Sequence, residues 1–280
     1  RHWAAGTIGN IPTINHVDAN WPKPWVFVRV FGLTILVYLI FLFCWNRFHP
    51  TNLLPGLIVI GTAAIPLSVL VFFFEMNARR NISIYLLGKM VVLGGAVSII
   101  FSLFMFQLIA WAGLGWMGAS VAGIAEETGN LLAVLAVANC LRYPYMLNGI
   151  LFGAAVGAGF SVFESAGYAL NALIAHIIDF SVANADAIQR AAREAVAAGD
   201  SGEAILGGLF QTMAAKFDRS MLDTMTLRGG LSPFGHIIWT AMTAGALWLV
   251  KGCRKFEFGM LLDLRFLRIF VAAMLLHALW

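Results

Sequence analysis

Five side chains able to bind a metal or move a proton fall inside otherwise apolar runs of this chain. They are Glu126 and Glu127 in GIAEETGN, Glu164 in GAGFSVFESAGYAL, His236 in SPFGHIIWTAMTAG and His277 in AAMLLHALW. An acid in a bilayer costs about 2.5–3.5 kcal/mol on insertion scales, so two adjacent ones need a reason. A single intramembrane histidine is ordinarily a packing or hydrogen-bonding residue. Four apolar segments that each carry an acid or an imidazole point to a shared site. Two imidazoles and a carboxylate suit a divalent transition metal, zinc first. A further carboxylate beside bound water can act as general base and then as general acid. A metal-free version uses the same residues, with a glutamate activating water and the histidines stabilising the oxyanion. The residues leave both open, and no HExxH stands anywhere in the chain. Consecutive helical residues point about 100° apart. Glu126 and Glu127 are therefore expected to face different partners, one the reaction site and the other a neighbouring helix or basic group.

The elements that must position these residues follow from composition. Of 280 residues, 60% are hydrophobic and 11% charged, with mean hydropathy +0.84. Soluble domains run at about 45–50% apolar and about 25% charged, so the chain is a polytopic membrane protein. Its net charge of +4 is spread over loops and gives no nucleic-acid signal. Cys44, Cys140 and Cys253 are far apart with no CxxC spacing, so neither a disulfide framework nor a zinc knuckle is suggested. Residues 1–22 are polar and mixed, without a cleavable signal pattern.

A helix needs about 20 apolar residues to cross the hydrocarbon layer. The pattern predicts an all-α bundle of about seven spans, near Trp25–Trp45, Leu53–Phe74, Ile84–Leu108, Trp116–Asn139, Met146–Leu170 (perhaps continuing to Ile178), Pro233–Val250 and Phe258–Trp280. The long hydrophilic stretch is Asp179–Ser232. Ile205, Leu206, Leu209, Phe210, Met213, Phe217, Met221, Leu222 and Met225 form one stripe there, as expected of a helix lying in the interface. The stretch reads equally as a tether or as a lid over a site. Lys23, Arg29, Arg79, Arg80, Arg142, Lys251, Arg254 and Lys255 collect on one side of the alternating loops. By the positive-inside rule the N-terminus is cytoplasmic and the long loop faces outward. On that topology all the intramembrane acids and histidines fall at one depth, in the outer half of the bilayer.

The motifs AEETGN, GAGFSVFESAGY, PFGHIIWTAMTAG and LLHALW resemble, in order and spacing, those of the PrsW family of intramembrane proteases, within the CAAX-protease and bacteriocin-processing superfamily. Phe160 with Glu164 fits its FxxxE segment, Pro233 with His236 its proline–histidine segment followed by Thr240, and His277 its final histidine. The stretch FFFEMNARRNISIYLLGKM also looks like the family's charged turn, and the resemblance covers about Phe74 to Trp280. It implies an intramembrane endopeptidase, metallo- or glutamate-type, of the bacterial plasma membrane. Its substrate would be a membrane-anchored protein such as an anti-sigma factor. Glu126 and Glu127 would be the catalytic pair, and Glu164, His236 and His277 the zinc ligands. Residues 1–24 then read as a polar N-terminal segment, and 25–280 as a transmembrane protease-like domain with 179–232 as its outward loop. One position departs from the pattern: the family often has Lys three residues after the second Glu, and Asn130 stands there. A lysine could hold a neighbouring carboxylate ionised, whereas an amide can only hydrogen-bond it.

Two other classes fit an intramembrane set of acids and histidines. A proton-coupled transporter would use them as a relay. Against it, no internal repeat and no matched pair of broken helices is visible. A non-catalytic membrane scaffold subunit would leave the residues far apart in space.

Overall fold

Inside a bilayer no water solvates the peptide groups, so each apolar run must pair its own amides, and a helix does so. The computed structural model describes residues 24–77, 79–139, 141–199, 207–208, 220–231 and 235–279, and among them there is no strand. The helices are α1 (Val26–Phe48), α2 (Leu54–Met76), α3 (Ile84–Trp111), α4 (Val121–Ala138), α5 (Met146–Ala183), α6 (Ala185–Ala198), α7 (Ser220–Leu231), α8 (His236–Lys251) and α9 (Leu264–Leu279). Among the described residues, six segments are long and apolar enough to cross a membrane: α1, α2, α3, Leu114–Ala138, α5 and Met221–Lys251. The protein is an integral membrane protein.

Two features differ from the sequence pattern. The expected seventh span, Phe258–Trp280, is interrupted. Phe258–Leu262 forms a separate 3₁₀ turn, and α9 begins only at Leu264, with 16 residues. The break is local chemistry. The Asp263 carboxylate accepts from the Arg265 amide at 2.9 Å, capping the helix start, and from its guanidinium at 2.7 and 3.0 Å. That side-chain bond, helped by the amide, holds the Asp263 carboxyl down at about 2. The second difference is the hydrophilic stretch. α5 continues to Ala183, so its 38 residues reach about 57 Å, well beyond the hydrocarbon thickness. Met221 and Met225 of α7 are fully buried in a cluster with Trp45, Leu57, Ile58, Ala169 and Leu173. This part of the stripe therefore docks on α2 and α5 and does not lie in the interface. Ile205, Leu206, Leu209, Phe210, Met213 and Phe217 lie outside the described residues, as do Pro233, Cys140 and residues 1–23.

Small residues decide how closely the site-bearing helices approach. Gly149, Gly153 and Gly157 recur every fourth residue on α5 and face α8. A methyl at Gly149 would sit 2.7 Å from Trp248 Cγ, one at Gly153 2.7 Å from Ala244 Cβ, and one at Gly157 2.9 Å from the His236 carbonyl carbon. This small-xxx-small face lets the two backbones touch, as membrane helices require when apolar surface alone gives no preference for protein over lipid. Gly123 does the same for α4 against α9, where a methyl would lie 2.9 Å from the Ala278 amide. Around the crossing, Phe152, Leu247, Trp248, Ile237 and Phe266 fill the core, and the Trp248 indole donates to the Tyr143 carbonyl at 2.6 Å.

Candidate metal centre

Glu126 and Glu127 come from the middle of α4, Glu164 from α5 two turns beyond Gly157, His236 from the first residue of α8, and His277 from near the end of α9. The close α5–α8 and α4–α9 crossings bring all five together. His236 Nε2 lies 3.2 Å from Glu164 Oε2 and 3.9 Å from Glu126 Oε2, while its Nδ1 is 3.7 Å from Glu127 Oε1. His277 Nε2 lies 3.4 Å from Glu126 Oε2, and its Nδ1 3.1 Å from Glu127 Oε1. Both imidazoles thus turn Nδ1 toward Glu127 and Nε2 toward Glu126. The adjacent acids do not face different partners, as their 100° offset suggested. They bracket the same two rings from opposite sides, because a glutamate side chain is long enough to bend round.

The rings are held by aromatic neighbours. The Trp239 and His277 rings stack with centroids 4.8 Å apart, Phe160 lies 4.7 Å from the His236 ring, and the two imidazoles meet edge to face at 4.7 Å. Thr240, one turn after His236, is fully buried, and its hydroxyl has no hydrogen-bond partner among the described residues.

One ligand atom each from Glu126, His236 and His277 lie mutually within 4.8 Å, and all three residues are buried. Glu126 Oε2 is buried without a hydrogen bond, although it faces both Nε2 atoms. A buried carboxylate oxygen costs free energy unless something partners it. A cation there would partner it, and the Nδ1 hydrogen bond from His277 to Glu127 would leave Nε2 free to ligate. The donor set of one carboxylate and two imidazoles suits zinc.

Sequence reasoning missed that guanidinium. Arg228 of α7 forms an ion pair with Glu164 and lies over the Tyr168 ring, 4.1 Å from its centroid. An arginine in a hydrophilic loop carries no signal alone. The available signal was spacing: Met221, Met225 and Arg228 fall at i, i+4 and i+7, on one helix face. Beside the cluster lies a cavity of about 360 Å³ lined by Ser161, Ser165, Leu227, Arg228, Gly235 and His236, among others.

Asn130, where the resemblance led one to look for lysine, points away from this chemistry. It is fully buried and accepts a hydrogen bond from the Ser98 hydroxyl of α3.

A membrane-embedded helical bundle whose helices converge on a buried Glu/His set has the makings of a metalloenzyme. The chain matches the family model of the PrsW family intramembrane metalloproteases over residues 82–193 and 203–280. That is more than half its length, and it belongs to this family. No curated protein and no solved structure matches it.

Proposed function

We propose that the protein hydrolyses a peptide bond of a membrane-anchored protein, with the cleavage site in the outer half of the bilayer. The observation that carries this is the meeting of Glu126, His236 and His277 ligand atoms within 4.8 Å, from three helices, beside a cavity. Zinc bound there would supply a Lewis acid for the scissile carbonyl and lower the pKa of water. Glu126 Oε2 and the two Nε2 atoms would hold it. Glu127, whose side chain is inaccessible, keeps the His277 ring turned with Nε2 inward, stands 3.7 Å from His236 Nδ1 and does not line the cavity. Glu164 is the most accessible of the three acids, with 13% of its side chain exposed against 9% for Glu126 and 0% for Glu127. It is flanked by the cavity residues Ser161 and Ser165. Glu164 is thus the carboxylate placed to take the proton from the attacking water and return it to the leaving amine. The reading refines the assignment from the resemblance, in which Glu164 was a ligand and the adjacent pair was catalytic. The basic residues on the opposite loops support an outward-facing site.

The test is cleavage of a reporter with a single transmembrane anchor by the purified chain in lipid nanodiscs. His277→Ala and Glu164→Gln should each abolish it. Cleavage at the wild-type rate by both variants would overturn the assignment.

A further inference from the structure

α7 lies outside the set of helices that carry the acids and histidines, yet it reaches the site. Its Met221 and Met225 are buried against α2 and α5, and Arg228 follows on the same face. The guanidinium lies over Tyr168 and pairs with Glu164, two residues one turn apart on α5. Glu164 in turn stands 3.2 Å from His236 Nε2. Arg228, Glu164 and His236 form a continuous polar chain from the docked loop helix to the metal centre. The face that buries the methionines is the face that presents the arginine.

We propose that Arg228 is a positioning residue of the cleavage reaction: seated by α7 and Tyr168, it fixes Glu164 beside His236, so that the loop helix completes the site. This rests on the peptidase reading above. In a membrane interior a carboxylate without a fixed partner would swing onto the nearest cation. Glu164 would then be free to shift toward Glu126 and any zinc bound there. Arg228, itself a lining residue of the cavity, holds it through a guanidinium that stays charged and is fixed over the Tyr168 ring.

The experiment uses the full chain in nanodiscs and the single-anchor reporter, with R228M and R228K beside wild type. R228M should lose about 10²-fold in kcat, the scale expected for a misplaced catalytic group, with KM kept within about twofold. Its zinc affinity, read by competition with a chromogenic chelator, should equal or exceed that of wild type, because a positive charge has left and Glu164 is free to ligate. R228K should recover part of the lost kcat. Unchanged kcat, a rise in kcat, a rise in KM alone, or a parallel fall of zinc affinity and kcat would each overturn the proposal. The rise would mean a latch, the KM effect a substrate contact, and the parallel fall a folding role. Should R228M not fold, R228K decides, since wild-type kcat there also overturns it. Wild-type protein that cleaves nothing would sink the peptidase reading itself. Wild-type cleavage with an indifferent R228M would sink this inference alone.

Discussion

Glu127 Oε1 lies 3.1 Å from His277 Nδ1, on the side of the ring away from Glu126. A carboxylate that accepts from Nδ1 fixes the tautomer and leaves Nε2 as the ligating atom. His236 Nδ1 also faces this oxygen, but at 3.7 Å, so the hydrogen bond comes from His277 and the second ring is only its neighbour. Glu127→Gln keeps the shape and removes the charge, and its amide can present either an oxygen or a nitrogen to the rings. We expect it to bind zinc about 10–100-fold more weakly, as is typical for loss of an outer-shell partner. Glu126→Gln should lose zinc binding altogether. Isothermal titration of the two variants in the same lipid distinguishes these roles, and equal affinities would contradict them.

The five candidate residues were legible in the sequence because the bilayer makes each one expensive, so an acid or imidazole in an apolar run stands out. That Glu126 and Glu127 turn toward the same two rings was not legible. Helix geometry gives the directions of the Cβ atoms, while these side chains have three rotatable bonds and converge on the same two rings. Arg228 was hidden for the opposite reason: polar residues in a polar stretch are expected, and its importance comes from the docking of α7. The broken last span follows from Asp263, whose capping of α9 is a short-range preference that a hydropathy window averages away.

Removal of metal should separate the two mechanisms that the residue types allow. If Glu126, His236 and His277 hold zinc, exhaustive chelation stops reporter cleavage and one equivalent of zinc restores it. Binding to the folded state alone would also raise the thermal midpoint, by the equivalent of about 4 kcal/mol when zinc stands at a thousand times its Kd. Cleavage that continues at full rate in chelator, with no zinc-dependent change in the midpoint, would favour direct activation of water by a glutamate.

Asn130 is where the chain departs from the lysine suggested by the resemblance, and its surroundings predict the effect of restoring it. The side chain is fully enclosed, bonded to Ser98 across the α3–α4 contact. Beside it, a methyl on Gly129 would lie 2.9 Å from the Ser102 amide. A lysine there has neither room nor a way to water, so Asn130→Lys should destabilise the protein by several kcal/mol without raising activity. Asn130→Ala strands the Ser98 hydroxyl and should cost about 1–3 kcal/mol while leaving kcat near wild type. Thermal melts and reporter cleavage measure both. A more active Asn130→Lys enzyme would place this position in the catalytic machinery after all.

The glycines of α5 give a test of the scaffold that is independent of the chemistry. Gly153 and Gly167 share the helix but not the surroundings. A methyl at Gly153 would meet Ala244 Cβ at 2.7 Å and Ala241 Cα at 2.8 Å, whereas a methyl at Gly167 meets nothing within 4 Å. Replacing glycine by alanine in a helix interior gains about 0.5–1 kcal/mol when space is open. Gly167→Ala should therefore raise the melting temperature slightly. At Gly153 the same methyl must push α8 away, and overpacking of a close contact costs typically about 1–3 kcal/mol, more than the propensity gain. Gly157→Ala adds a functional effect, since its methyl would press on the His236 backbone, 2.9 Å away, and displace that ring from Glu126 and Glu164. The expected order of melting temperature is Gly167→Ala above wild type above Gly153→Ala. Gly157→Ala should lose cleavage disproportionately to its loss of stability. Equal effects at the three positions would mean that the α5–α8 contact does not set the geometry of the site.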